Sequence, residues 1–488
     1  MTTTDGTPSV GDWTPQELEE NGRLLLSCLR RHFEDLRTLP VTTDRSAQEI
    51  RALIDEPLPT EPEAFGAVLE QTWRDVRPHL TLWNHPRFHA YFSNSSSGPA
   101  ILAEMATAAL NVNVMLWDAA PAAAAVESTV LKWLADLLAY PADGDAVLVD
   151  GASLATLYAL AAAREQLSGL DVRQHGLAGS PRLRVYASDQ THSSIDKAAI
   201  TLGIGLDNVI RLPTSGDGML RPDALDAQIR ADVDSGYRPM AVVANIGTTS
   251  TGAVDPLEQI AEVCAQHGIW LHVDAAYGGF WRIADGVRPH VPDLSAADSL
   301  VANPHKVLLC PMEASALFCR HPDALTNTFR LVPEYLTTRH ENGSVDFMNY
   351  SLQLGRQFRA LKLWWIIKSF GVRGIAERLT AAVDLADRLR KAAGNSSHWK
   401  VENPDTPFPL VCLRYAPPGL TQEQTDALNQ RIHQRVNTAG RSYVSHTVVE
   451  CGYVIRVSIG NIHTLAEDID VLWRELSAAA AAEEGSAS

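Results

Sequence analysis

The sequence predicts an α/β protein with a mostly parallel central sheet and helices on both of its faces. Two observations carry this. From about residue 95 to 385, short β-rich runs alternate with longer helical ones, the pattern of strands joined by crossover helices. The chain has 488 residues, 45% hydrophobic and 20% charged, which suffices for two or three domains around at least one large core.

Residues 1–94 read as a helical segment. Thr14 is placed to cap a helix with Pro15 at its first position, and Leu24, Leu25, Leu26, Leu29 and Phe33 follow at helical spacing. The stretch Glu56-Pro57-Leu58-Pro59-Thr60-Glu61-Pro62 breaks the pattern before a second helix over about Glu63 to Val76. Such helices are too few and too one-sided to stand alone, so they are expected to pack on a second subunit. In 95–385 the strands fall at Ala146–Val149, Leu183–Ala187, Val209–Leu212, Met240–Ala244, Trp270–Val273 and Ser299–Val301. Helices are expected at Ala155–Gln166, Pro222–Asp234 and Pro256–Gln266, and a long one from Gly355 to about Lys391. Residues 386–488 read as a small α+β domain. It has strands near Pro409–Tyr415 and Tyr453–Ser458, helices at Gln422–Asn437 and Leu465–Ala478, and a low-complexity tail from Ala479 expected to fray.

Lys+Arg total 41 against Asp+Glu 58, a net charge of -17, which disfavours nucleic acid and anionic lipid as partners. The N-terminus lacks the features of a signal peptide, and no apolar run approaches the roughly 20 residues that span a bilayer. Six scattered cysteines suit reduced thiols in a cytoplasm, with no metal site among them.

Ligands of parallel sheets bind beyond the carboxyl ends of the strands, so the residues there carry the functional reading. Lys306, in Asn303-Pro304-His305-Lys306, follows a strand and precedes the apolar Val307-Leu308-Leu309. Lost hydration there would lower its pKa, as Schiff-base chemistry requires, although an isolated lysine is more often a surface residue. Asp274 ends a strand before Ala275-Ala276-Tyr277-Gly278-Gly279, small residues that leave room for a flat ligand. It could face a pyridine nitrogen, cap a turn or hold a metal. In Val149-Asp150-Gly151-Ala152-Ser153 a strand runs through small residues straight into a helix, whose free amides and dipole favour phosphate. The sequence there is neither a P-loop nor Gly-x-Gly-x-x-Gly. His192 opens another helix after a strand, and Asn245–Ala253 is a hydroxyl-rich turn that includes Thr249.

Together and in this order, these segments resemble the group II pyridoxal-phosphate (PLP) decarboxylases of fold type I, which include aromatic-L-amino-acid, tyrosine and histidine decarboxylases. Asn303-Pro304-His305-Lys306 and His272-Val273-Asp274-Ala275-Ala276-Tyr277 are the most specific matches, and the likeness runs from about Pro57 to Leu476. The resemblance implies PLP attached as an aldimine to Lys306, Asp274 on the pyridine nitrogen and His192 stacked on the ring. It further implies Ala152, Ser153 and Asn303 at the phosphate, with Thr249 and His305 beside the cofactor. Tyr335 falls where the family's mobile loop carries the tyrosine that protonates the substrate α-carbon, and the polar stretch Thr337–Phe347 suits such a loop. Trp83, Phe92, Asn94 and Met115 would line the substrate pocket, the Met115 region from the neighbouring subunit of a homodimer.

The expected reaction is decarboxylation of an aromatic or otherwise bulky L-amino acid through an external aldimine and a quinonoid. Departures from relatives widen the field. His89-Ala90-Tyr91-Phe92-Ser93-Asn94 stands where relatives usually have an aromatic residue before Ala-Tyr-Phe-Pro, and Val307 replaces a common Trp. Asp118-Ala119-Ala120-Pro121-Ala122-Ala123-Ala124-Ala125 also differs from the usual pattern. Unless they are neutral drift, these changes point away from a snug aromatic pocket and toward a larger or more polar substrate. They keep open oxidative deamination to an aldehyde, or β-elimination on an S-conjugated cysteine, in specialised metabolism such as antibiotic (lincosamide-like) biosynthesis. Outside this chemistry, a nucleotide-binding module or a silent scaffold are the competing classes, and the set Lys306, Asp274 and His192 argues against both.

Overall fold

The structure, a computed structural model, describes residues 11–331 and 343–485. Its first helix, Pro15–Asp35, starts as the sequence predicts: Thr14 and Glu17 cap each other reciprocally, satisfying two otherwise orphaned amides. A helix over Ala47–Ile54, unforeseen in the sequence, uses the same device with Ser46 and Glu49. The next helix, Phe65–Gln71, widens into a π-type turn over Thr72–Val76. The helix Pro15–Asp35 buries none of its residues.

The N-terminal segment then contributes strand β1 (Phe88–His89). Among the described residues, seven further strands build the central sheet: β2 (Asp145–Val149), β3 (Leu183–Ser188), β4 (Val209–Leu212), β5 (Arg238–Asn245), β6 (Trp270–Asp274), β7 (Ser299–Ala302) and β8 (Ser315–Cys319). Their order is β2-β8-β7-β6-β5-β3-β4. All neighbours from β7 to β4 pair in parallel, while β8 runs antiparallel to both β7 and β2. Six strands foreseen in the sequence are therefore present, and β8 is the one it missed. The helix Ala152–Glu165 packs across the sheet through Ala155, Tyr158, Ala159 and Ala162, small and flat enough for close approach. Trp281, Tyr158, Tyr186, Phe280 and Phe318 are the bulkiest fully buried side chains around it.

The second sheet joins both ends of the chain. Strands β9 (Trp399–Val401), β10 (Leu410–Tyr415), β11 (Tyr443–Val449) and β12 (Gly452–Ser458) take the order β1-β11-β12-β10-β9. Phe88 and His89 pair in parallel with Tyr443 and Val444, so the N-terminal segment is stitched to the C-terminal sheet. The boundary expected at residue 385 falls inside a helix, Ala360–Gly394, which bends only at Gly371, where φ is 64°. The tail from Ala479, expected to fray, is helical over its described residues. The last helix continues to Gly485, with Ala479 and Ala480 buried, because Glu483 pairs with Arg431 and Arg435 and Glu484 accepts the Tyr415 hydroxyl at 2.8 Å.

Candidate active site

Five loops at the carboxyl ends of β2, β3, β5, β6 and β7 close around one cavity of about 330 Å³. Its walls bring together Ala152, Ser153, His192, Thr249, Asp274, Asn303, His305, Lys306 and Phe92. Parallel pairing makes this convergence: Asn245 stands beside Asp274, and Asp274 beside Val301, so successive strands end at one level. The turn after β5 is compact because Gly247, at φ 86°, reverses the chain against Tyr277. Gly278 admits no side chain, since a Cβ there would overlap the Ile246 carbonyl.

Burial pushes the Lys306 amine down to about 8; Asp274 opposes this and Arg456 adds to it. Its Nζ lies 4.4 Å from the centroid of the Phe92 ring. Asp274 Oδ1 accepts the Ala276 amide at 3.0 Å. His192 opens onto the cavity, and its Nδ1 accepts the Ser194 amide at 3.1 Å, which leaves the ring proton on Nε2 in the neutral form. Burial lowers the His192 pKa, Asp274 raises it and Lys306 lowers it. His305 is buried and driven down to about 4, so it is neutral, with Nδ1 accepting the Ala314 amide.

A PLP-sized group fits these residues. The cavity offers the Lys306 amine, lowered in pKa, and the Asp274 carboxylate at the end of β6, and Ala152 and Ser153 begin a helix whose first two amides have no partner within it. The buried Asn303 side-chain oxygen also lacks a partner among the described residues, and a half-turn of that amide presents N–H donors to the same space.

Several expected residues stand elsewhere. Trp83 is engaged by Phe88 and Tyr91, with ring centroids 4.7 and 5.6 Å away, and does not line the cavity within one chain. Neither do Asn94 and Met115; the Met115 carbonyl accepts the Met348 amide, and its sulfur accepts from the Asn113 amide. Tyr335 and residues 337–342 of the expected loop lie outside the described residues.

Three supporting residues, Asn245, Asp255 and Arg456, have no role that the sequence alone assigns. Asn245 donates to Thr191 Oγ1 at 2.8 Å and to Asp255 Oδ2 at 2.9 Å, which anchors the turn beneath His192. Asp255 is buried and also accepts the Leu220 and Asn245 amides. Arg456, on β12, donates from Nε to the Thr249 carbonyl at 2.9 Å and from Nη1 to the Tyr91 carbonyl, while its buried Nη2 has no partner among the described residues. Its guanidinium lies 4.7 Å from the Phe92 centroid. Arg456 sits about 180 residues beyond Asp274, and the segment Arg456-Val457-Ser458-Ile459-Gly460-Asn461 points to it only as part of the family resemblance.

The fold and this constellation define a PLP-dependent lyase of fold type I. The conserved domain of pyridoxal-dependent decarboxylases matches residues 47–416, and the chain belongs to that family. Tyrosine decarboxylase 4 of Petroselinum crispum is 33% identical over 476 residues, covering 95% of this chain and 93% of its own. A phenylacetaldehyde synthase of Petunia hybrida is 32% identical, covering 94% of this chain and 93% of its own. The crystal structure of Oryza sativa TDC with PLP and tryptamine aligns at a TM-score of 0.92 and 29% identity, over 97% of this chain and 99% of that one. The protein is a PLP-dependent carboxy-lyase that acts on an L-amino acid.

Proposed function

We propose that the chain converts an L-amino acid with an aromatic or otherwise bulky side chain to the corresponding amine and carbon dioxide. The observation that carries this is the meeting of Lys306, Asp274 and His192 in one cavity, with the lysine amine held near 8 by burial. An amine of that kind is unprotonated often enough near neutral pH to attack a carbonyl. PLP bound here supplies the sink for the electron pair left when the substrate's Cα–carboxylate bond breaks. Asp274 is suited to hold a proton on the pyridine nitrogen, and His192 to lie against the ring. Ala152, Ser153 and Asn303 are suited to the phosphate, with Thr249 and His305 beside them. Tyr335 is the proposed donor of the proton to Cα, with His192 Nε2 as its reserve.

A homodimer is part of the proposal. The unburied helix Pro15–Asp35 exposes Leu18, Leu24 and Leu26, and the helix Gly98–Leu110 exposes Leu102, Met105 and Leu110. A second subunit covering such surface would also explain why Trp83, Asn94 and Met115 stand away from the cavity of their own chain. The proposed setting is the cytoplasm, in specialised metabolism such as antibiotic biosynthesis.

The likeness to a phenylacetaldehyde synthase supports a second reading. There the amino acid, dioxygen and water would give aldehyde, carbon dioxide, ammonia and hydrogen peroxide. One experiment decides between them. The PLP-loaded enzyme and a Lys306→Ala control are incubated with a panel of L-amino acids under air and under nitrogen, and carbon dioxide, amine, aldehyde and peroxide are measured. Amine formation that is indifferent to oxygen and absent in the control supports decarboxylation. Oxygen-dependent aldehyde with equal peroxide supports the second reading, and full activity in Lys306→Ala overturns both.

A further inference from the structure

The helix Ala152–Glu165 opens on Gly151, which is extended at φ −165° and offers no side chain to cap the first-turn amides. Immediately before it stands Asp150, also on the cavity wall. A carboxylate at that place is drawn by the same amides and the same positive helix end that favour a phosphate. It would compete with the phosphate for donors and repel it by charge.

Asp150 does not cap the helix, because both of its oxygens are engaged on the other side. Oδ1 accepts from Arg359 Nη2, and Oδ2 accepts from Gln353 Nε2 at 2.6 Å. The Arg359 side chain is 7% exposed and that of Asp150 22%, so the pair is shielded from competing water. The segment that carries both partners is itself pinned. Between them, Arg356 donates to the Leu148 and Val114 carbonyls at 3.0 Å each and to Glu127 Oε1 at 2.6 Å. Arg356 and Glu127 are almost wholly buried, which fixes the segment against the end of β2.

We propose that Gln353 and Arg359 are positioning residues that hold the Asp150 carboxylate off the N-terminus of the helix Ala152–Glu165, leaving the Ala152 and Ser153 amides and the Ser153 hydroxyl free for the cofactor's phosphate. Arg359 also cancels the charge that Asp150 places beside that phosphate. The inference rests on the reading of Ala152, Ser153 and Asn303 as the phosphate cradle.

The test measures binding of PLP and of pyridoxal, which lacks the phosphate, to cofactor-free protein by equilibrium dialysis. Wild type should favour PLP; if it binds both alike, the cradle reading itself fails. Arg359→Gln should weaken PLP binding by about tenfold, the scale of one lost charge-assisted contact, and leave pyridoxal unchanged. Adding Asp150→Asn to Arg359→Gln should restore PLP binding to within about threefold of wild type. Asp150→Asn alone should bind PLP at least as well as wild type. Should Arg359→Gln fail to fold, Gln353→Leu frees one carboxylate oxygen and should give a smaller loss, again relieved by Asp150→Asn. The proposal is overturned if the double variant stays as weak as the single one, or if Asp150→Asn alone weakens PLP binding.

Discussion

Lys306 meets the face of Phe92, its Nζ 4.4 Å from the ring centroid, and the same ring takes the Arg456 guanidinium at 4.7 Å. One aromatic side chain from the N-terminal segment thus contacts a cation of the central sheet and a cation of the C-terminal sheet. Aromatic faces attract cations, and more strongly where water is excluded. The three parts of the chain meet at the amine on which the chemistry depends.

Arg456 works with burial to lower the Lys306 amine to about 8. Removing its charge in Arg456→Gln should move the amine upward. The check is the pH dependence of PLP uptake by cofactor-free protein, followed by visible absorption. Its midpoint should rise in the variant; an unchanged or lower midpoint would show that the charge does not act on Lys306.

Asp274 acts on the same amine in the opposite sense. In Asp274→Asn the Lys306 pKa should fall, and the pyridine nitrogen should lose the carboxylate that keeps it protonated. Turnover should drop by orders of magnitude while part of the PLP stays bound. Near-wild-type turnover would reduce Asp274 to its hydrogen bond with the Ala276 amide.

Tyr335→Phe keeps a ring but removes a donor hydroxyl. If Tyr335 protonates the product carbon, carbon dioxide should still be released while aldehyde rises at the expense of amine under air, and less so under nitrogen. An amine-to-aldehyde ratio untouched by the mutation would place the proton donor elsewhere, with His192 the next candidate.

His85, just before β1, and His89, within it, are both held down to about 4, first of all by burial. Their folded pKa lies below the ordinary value of 6.5, so between pH 6.5 and 4 the unfolded chain binds more protons than the folded one. Stability should therefore decline as pH falls through that window, by a few kcal/mol per histidine once both states are protonated. His89→Phe removes one such group, so its urea midpoint should depend less steeply on pH than that of wild type. Equal slopes would show that the buried ring at 89 is not a proton-linked group.

Much of this protein was legible before any coordinates. Strand-and-helix alternation marked six of the seven central strands, since hydrophobic periodicity is a local property. The residues of the cavity were legible for a related reason: in a parallel sheet every strand delivers its carboxyl end to one edge, so Asp274, His192 and Lys306 could be read as strand-end residues that converge. β8 escaped because it is an antiparallel return strand without a crossover helix to announce it. The helical course of the tail as far as Gly485 is not legible in the sequence, because its alanines bury and its Glu483 finds Arg431 and Arg435, a pairing that no local pattern contains. Arg456, the Arg359–Asp150–Gln353 clamp and the joining of β1 to β11 belong to the same class. Each depends on residues scores or hundreds of positions apart, and a buried charge declares its role only when its partner and the water excluded around it are in view. The sequence determined which groups could do chemistry; tertiary structure decided which of them share a wall, what holds their charges, and which end of the chain closes over them.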